Sequence, residues 1–132
     1  MNKKEIATSF LRLASSGQAR EAYEQFIHPQ FRHHNAYFKG DRESLFRGME
    51  ENARDFPDKT YETLRVLEDG DLVAVHGKVR LSPDSQWSVI HIFRFENDKI
   101  IESWEASQEV LKDSPNESGI FSGAITTICR NM

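Results

Sequence analysis

Three stretches of this 132-residue chain carry side chains that could move a proton. FRHHNAYFKG, residues 31–40, sets His33, His34 and Asn35 among aromatic residues. QWSVIHIFRFE, residues 86–96, holds His91 in an apolar run, and KIIESWEASQEV, residues 99–110, holds Glu105 between Trp104 and Ala106. Read as strands, the second places Trp87, Val89, His91, Phe93 and Phe95 on one face, because strand side chains alternate. His91 is then the only ionisable group in an aromatic row. It is either a core histidine satisfied by a backbone carbonyl or a general acid/base, since imidazole titrates near neutrality. The third stretch puts Ile101, Ser103, Glu105 and Ser107 on a shared face, with Trp104 opposite unless a bulge reverses it. A carboxylate facing an apolar pocket is expected to have its pKa raised by desolvation. The alternative for Glu105 is a solvated strand-edge carboxylate. Adjacent residues of an extended segment point opposite ways, so one of His33 and His34 should face a pocket. Both histidines and Asn35 could instead be turn formers. The spacing of His34, His91 and Glu105 matches no metal-ligand motif, and no metal is expected.

Helices and strands must bring these groups together. Ile6, Phe10, Leu13 and Ala14 recur at helical spacing and predict an amphipathic helix over residues 2–16, broken at Gly17. Ala19, Ala22, Tyr23, Phe26 and Ile27 form one side of a second helix. Pro29 ends it, because the residue before proline resists helical geometry, and His28 suits its C-terminal end. The FRHHNAYFKG segment, residues 31–40, should lie just beyond, in a loop or short turn. Gly40-Asp41 opens a third helix, Asp41 being a suitable N-cap, and Pro57 closes it. From residue 60 the period becomes that of strands: TYETLRVLE, DLVAVHGKVRL, QWSVIHIFRFE and KIIESWEASQEV. Asp69-Gly70, Ser82-Pro83-Asp84 and Asn97-Asp98 form the turns, so the strands make an antiparallel meander. Residues 112–132 read as a further short strand or an arm packed on the sheet. This is an α+β arrangement, three N-terminal helices packed on a curved, mostly antiparallel sheet, with a conical pocket between the layers.

Bulk properties narrow the function. The length suits one domain, residues 1–132. A net charge of −4 and no Lys/Arg cluster argue against nucleic acid as a partner. No apolar run approaches the ~18–20 residues of a membrane span, so no membrane partner is expected. The N-terminal segment is broken by Thr8, Ser9 and Arg12 and reads as a helix of the mature protein, not a signal peptide. The single cysteine, Cys129, fits a reducing, cytoplasmic setting. Phosphate-binding glycine loops, dinucleotide fingerprints, paired-cysteine zinc spacings and nucleophile elbows are absent from the sequence.

The ordered pieces resemble a known family. They are His34-Asn35, Gly40, GDLVAVHGKV at 70–79, IHIFRFENDKIIESWE at 90–105 and NESGIF at 116–121. Together they are similar to the SnoaL-like polyketide cyclase group of the nuclear transport factor 2-like, cystatin-like α+β superfamily, most closely its branch predicted to catalyse aldol condensations. The resemblance implies a cone-shaped pocket in which a carboxylate beside the last-strand tryptophan acts as acid/base. Glu105 stands there in place of the usual aspartate, its carboxylate displaced by about one C–C bond. His33 stands for a glutamine, Ala36 for a proline, and His91 for a frequent aspartate. The family also implies a homodimer through the outer face of the sheet.

The expected chemistry is therefore cofactor-independent proton abstraction next to a carbonyl, on a small apolar carbonyl ligand. The enolate would close a C–C bond or isomerise. Glu105 would take the proton, His91 would hold it or deliver one, and His34 or Asn35 would donate to the oxyanion. Tyr37, Phe38, Trp87, Val89, Phe93 and Trp104 are expected to bind the substrate. The rival expectation is a non-catalytic ligand-binding or dimerisation module, since this scaffold hosts many functions.

Overall fold

The computed structural model describes residues 1–123. Cys129 and the end of the apolar tail lie outside the described residues. Helix α1 spans Lys3–Ser15, α2 Ala19–Phe26 and α3 Arg42–Asp55; the strands are β1 Ile27–His33, β2 Thr60–Asp69, β3 Leu72–Ser82, β4 Ser85–Glu96 and β5 Lys99–Glu109. The helix starts follow from local chemistry. The Asn2 side chain accepts from the Glu5 N–H while Glu5 accepts from the Asn2 N–H, a reciprocal capping box. Asp41 caps α3 by accepting from Ser44 N at 3.1 Å.

The five strands form a single mixed sheet in the order β1-β5-β4-β3-β2. β2 to β5 make the antiparallel meander that the turn residues predict. The three helices do not all precede the sheet. β1 lies between α2 and α3 and pairs in parallel with β5. Sequence reading took residues 31–33 for loop because their partner lies some 70 residues further on and leaves no local period. Pro29 is tolerated because β1 is an edge strand whose register shifts between Ile27 and Arg32.

One face of the sheet packs on the helices. Phe10 of α1 meets Phe93 of β4 edge-on, ring centroids 5.8 Å apart, and tilts against Tyr23 of α2 at 6.0 Å. Val73, Val75, Phe95 and Ile100 complete this core and are almost wholly buried. The core fills the half of the inner face nearest Phe93. Towards Tyr61, Val79 and Trp87 a gap opens between the helices and the sheet. Beyond β5 the chain returns to β2, where Arg65 Nη2 donates to the carbonyls of Phe121 (2.9 Å) and Ser122 (3.1 Å). Through residue 123 this segment is an arm rather than a strand.

Candidate active site

The gap is a cavity of about 360 Å³, within the range of small-molecule sites. Leu11 and Ala14 of α1 and Leu45, Gly48 and Met49 of α3 form one wall. Val79, Trp87 and Val89 of the sheet form the other. Tyr37 and Phe38 stand at the rim, and the Phe38 ring packs directly over Gly48, where a Cβ would collide with it. Into this apolar space project Glu105, His91, Asn35, Asn52, Lys59 and Tyr61.

Register explains why Glu105 and His91 meet: they are directly paired across β4 and β5. His91 Nε2 lies 3.4 Å from Glu105 Oε1, and its ring stacks on Phe93 at 5.6 Å. His91 Nδ1 is buried with no hydrogen-bond partner among the described residues. In the neutral ring a hydrogen placed there would be a stranded donor, so its one proton belongs on Nε2, facing the carboxylate. Asn35 Nδ2 donates to the same Oε1 at 3.2 Å, while its Oδ1 accepts from Tyr37 N at 3.0 Å. That second bond fixes which end of the amide faces Glu105. Burial pushes the Glu105 carboxyl up, but the His91 bond and charge, then Asn35 and His33, outweigh it and hold the group below the ordinary carboxylate range. This corrects the expected rise. Burial alone would raise it; the polar neighbours reverse the sign. The side chain lines the cavity, and 30% of its surface stays open.

The two histidines of the opening motif brace the loop and do not enter the cavity. His33 is buried; its Nε2 donates to Lys39 O at 2.6 Å and its Nδ1 accepts from Asn35 N at 3.0 Å. His34 turns to the outer face, stacks on Trp104 at 5.2 Å and 7°, and reaches Glu102 Oε2 at 2.7 Å. The expected oxyanion role of His34 therefore has no geometric basis, and His34 and His91 cannot share a metal. Trp104 does not line the cavity either: β5 is regular there, pairing Trp104 with Ile92, and the bulge lies lower, between Arg94 and Phe95. Phe93 is core, 2% exposed, beneath His91 rather than beside a ligand. Asn35 faces the Glu105 carboxylate, so its amide is not free for an oxyanion. Lys59, Tyr61 and Asn52 were not expected. Lys59 sits in the turn after Pro57, where neither period applies. Tyr61 alternates correctly with Thr63, and that alternation was the available signal.

Glu102 ties the outer face together. Its Oε1 accepts from Arg94 Nε (3.0 Å) and Nη2 (2.8 Å), and its Oε2 accepts from Arg32 Nε (3.3 Å) and His34 Nε2. The His34 and Arg94 bonds lower its pKa to about 2. Its cover is these partners' own side chains, which reach into solvent, so the stabilising effect is discounted for screening. A depressed carboxylate contributes stability that is complete above its unfolded pKa of about 4.5 and is lost as pH falls towards about 2. The urea midpoint is accordingly expected to fall over that window, and Glu102→Gln is expected to flatten the fall and lower the neutral-pH stability by about 1–2 kcal/mol. An unchanged acid limb in the variant would contradict this.

Gly77 makes room for Tyr61. A Cβ there would overlap the Tyr61 phenol. Gly77→Ala is expected to destabilise by about 1–3 kcal/mol and to push the ring into the cavity; a thermal melt together with ligand titration would show both effects.

A family model described as a SnoaL-like domain matches residues 7–103. The chain belongs to the SnoaL-like domain family. Solved structures carry the same fold. Wild-type IdmH from Streptomyces antibioticus, a candidate polyketide cyclase, superposes with a TM-score of 0.66 at 19% identity, covering 81% of this chain and 93% of that one. A candidate polyketide cyclase from Acidithiobacillus ferrooxidans gives 0.64 at 19%, covering 79% and 86%. A cystatin-fold protein from Novosphingobium aromaticivorans gives 0.70 at 15%, covering 80% and 98%. No curated protein matches this chain. The SnoaL-like match ends two residues before Glu105, so the placing of Glu105 in this SnoaL-like cavity stands on the geometry above. Among the described residues no helix is long and apolar enough to cross a membrane.

Proposed function

We propose that this SnoaL-like protein is a cyclase- or isomerase-type enzyme that forms an enolate from a small, largely apolar carbonyl compound without a cofactor. One observation carries the reading: a carboxylate stands in an apolar cavity with one oxygen held by Asn35 and His91. Glu105 Oε2 has no hydrogen-bond partner among the described residues and is the atom left to act. It removes a proton from the carbon next to the carbonyl. The C–H electron pair passes onto the carbonyl oxygen. The enolate carbon then attacks a second carbonyl of the same molecule in an aldol closure, and the new alkoxide takes the proton back from Glu105. Isomerisation would return that proton to a different carbon. His91 and Asn35 hold the carboxylate in its attacking geometry. Trp87, Val89, Tyr37 and Phe38 enclose the ligand.

The polyketide cyclase descriptions of structural neighbours support this class of chemistry. The position of Glu105 below the ordinary carboxylate range favours the second reading, a binding module without turnover, because a weaker base transfers protons less readily. Incubation with phenylacetone in D2O separates the two. The enzyme is expected to exchange the benzylic protons faster than buffer, in proportion to protein; a binder leaves the buffer rate unchanged. We further propose a homodimer through the outer face, where Leu67, Leu72, Ile90 and Ile92 are exposed, and a cytoplasmic setting. Sedimentation of the purified chain tests the first.

A further inference from the structure

Lys59 is the cation of the cavity wall. Its Nζ donates to Asn52 Oδ1 at 2.6 Å, and it makes no ion pair among the described residues. An ammonium has three N–H donors, and here a neutral amide is its one hydrogen-bond partner among the described residues. The same cavity wall holds Glu105, whose Oε1 is held by Asn35 and His91 and which forms no ion pair with Lys59 among the described residues. Met49, Tyr61 and Val79 line the same cavity and offer no negative charge. A cation partly withdrawn from water and without an ion pair among the described residues is costly unless something supplies one. Burial lowers the Lys59 pKa, with Glu105 opposing, which agrees with an unmet need for an anion.

We propose that Lys59, with Asn52 orienting it, is the seat for a carboxylate of the ligand, so that the natural ligand is an organic acid carrying its carbonyl towards Glu105 and its carboxylate towards Lys59. This deepens the proposed function and rests on the same cavity being the ligand site. It assigns a polarity to the cavity: the carboxylate of the ligand meets Lys59 and the apolar body spans Trp87 and Val89. Discrimination then comes from one charge pair formed in a partly desolvated place, where such a pair is worth more than at the surface.

The test uses three probes of one length: 4-phenylbutanoate, 4-phenylbutan-2-one and 4-phenylbutylamine. Binding to the full chain is followed through tryptophan fluorescence, since Trp87 lines the cavity, and checked by calorimetry. The butanoate is expected to bind at least about tenfold more tightly than the ketone, and the amine least. Lys59→Met is expected to abolish the preference for the acid while leaving ketone affinity within about twofold, and Lys59→Arg to retain most of it. Equal binding of acid and ketone by the wild type overturns the proposal without any variant, as does an acid preference that survives Lys59→Met. So does a ketone adduct at Lys59 trapped by borohydride, which would make the lysine a nucleophile instead. Failure here is distinguishable from failure of the catalytic reading. Loss of phenylacetone exchange in Glu105→Gln with no acid preference leaves the enzyme and removes the seat. The acid preference with no exchange leaves the seat and removes the enzyme.

Discussion

Glu105→Gln is expected to lower the protein-dependent exchange of phenylacetone by about 10²–10⁴-fold, the usual contribution of a positioned general base. The glutamine keeps the volume and can still face Asn35 and His91, so the cavity survives. What it loses is a lone pair able to accept a full proton. Ligand affinity should therefore change little while the rate collapses, which separates a reacting group from a binding one. The size of the loss follows from how the carboxylate is held. Two donors on Oε1, at 3.2 and 3.4 Å, leave Oε2 as the basic atom, and amide replacement removes it. Glu105→Asp is expected to cost less, since the charge remains while the carboxylate retracts by about one C–C bond and loses its aligned position. Parallel measurement of Kd by fluorescence and of exchange by proton NMR checks both halves.

Phe93→Ala is expected to destabilise the fold by about 3–5 kcal/mol, the usual cost of truncating a buried phenylalanine. That is a large part of the 5–15 kcal/mol that holds an ordinary domain together. Phe93 is 2% exposed, meets Phe10 edge-on from below, and carries the His91 ring stacked on it at 5.6 Å. Truncation would leave a void that α1 cannot fill and would loosen the ring that faces Glu105. Phe93→Leu is expected to cost less in stability and still to weaken His91 placement, seen as a lower exchange rate at unchanged Kd. Urea denaturation followed by fluorescence gives the first quantity. A loss below about 1 kcal/mol for the alanine variant would mean that Phe93 lies outside the core.

The same residue shows where sequence reading reaches its end. Alternation correctly placed Trp87, Val89, His91 and Phe93 on one face of β4. Alternation does not say how far along that face the helices extend, so Phe93 reads as a ligand contact although it is core. The meander, the Asp41 cap and the joining of His91 to Glu105 were readable because each depends on local period or short turns. β1 was not readable, because parallel pairing with β5 depends on distant residues and leaves no local trace. His34 and Trp104 follow from that miss. Once β1 is a strand, the chain alternates through His33 and His34, and His34 falls on the outer face beside Trp104. The sign of the Glu105 shift is likewise out of reach, because it depends on three neighbours, His33 on β1, Asn35 in the loop after it and His91 on β4. Lys59 and Tyr61 enter the cavity through the α3–β2 turn and the opening left by Gly77, and neither is a pattern of period.

The proposed role of Glu105 is tested most directly by the pH dependence of protein-catalysed exchange between about pH 5 and 8, with the buffer rate subtracted at each point. A carboxylate held below its ordinary range is fully ionised across this window, and the Glu102 contribution to stability is complete there. The expected result is a flat profile. A rate that climbs through about pH 6.5, where free imidazole titrates, would assign the base to a histidine and contradict the role given to Glu105.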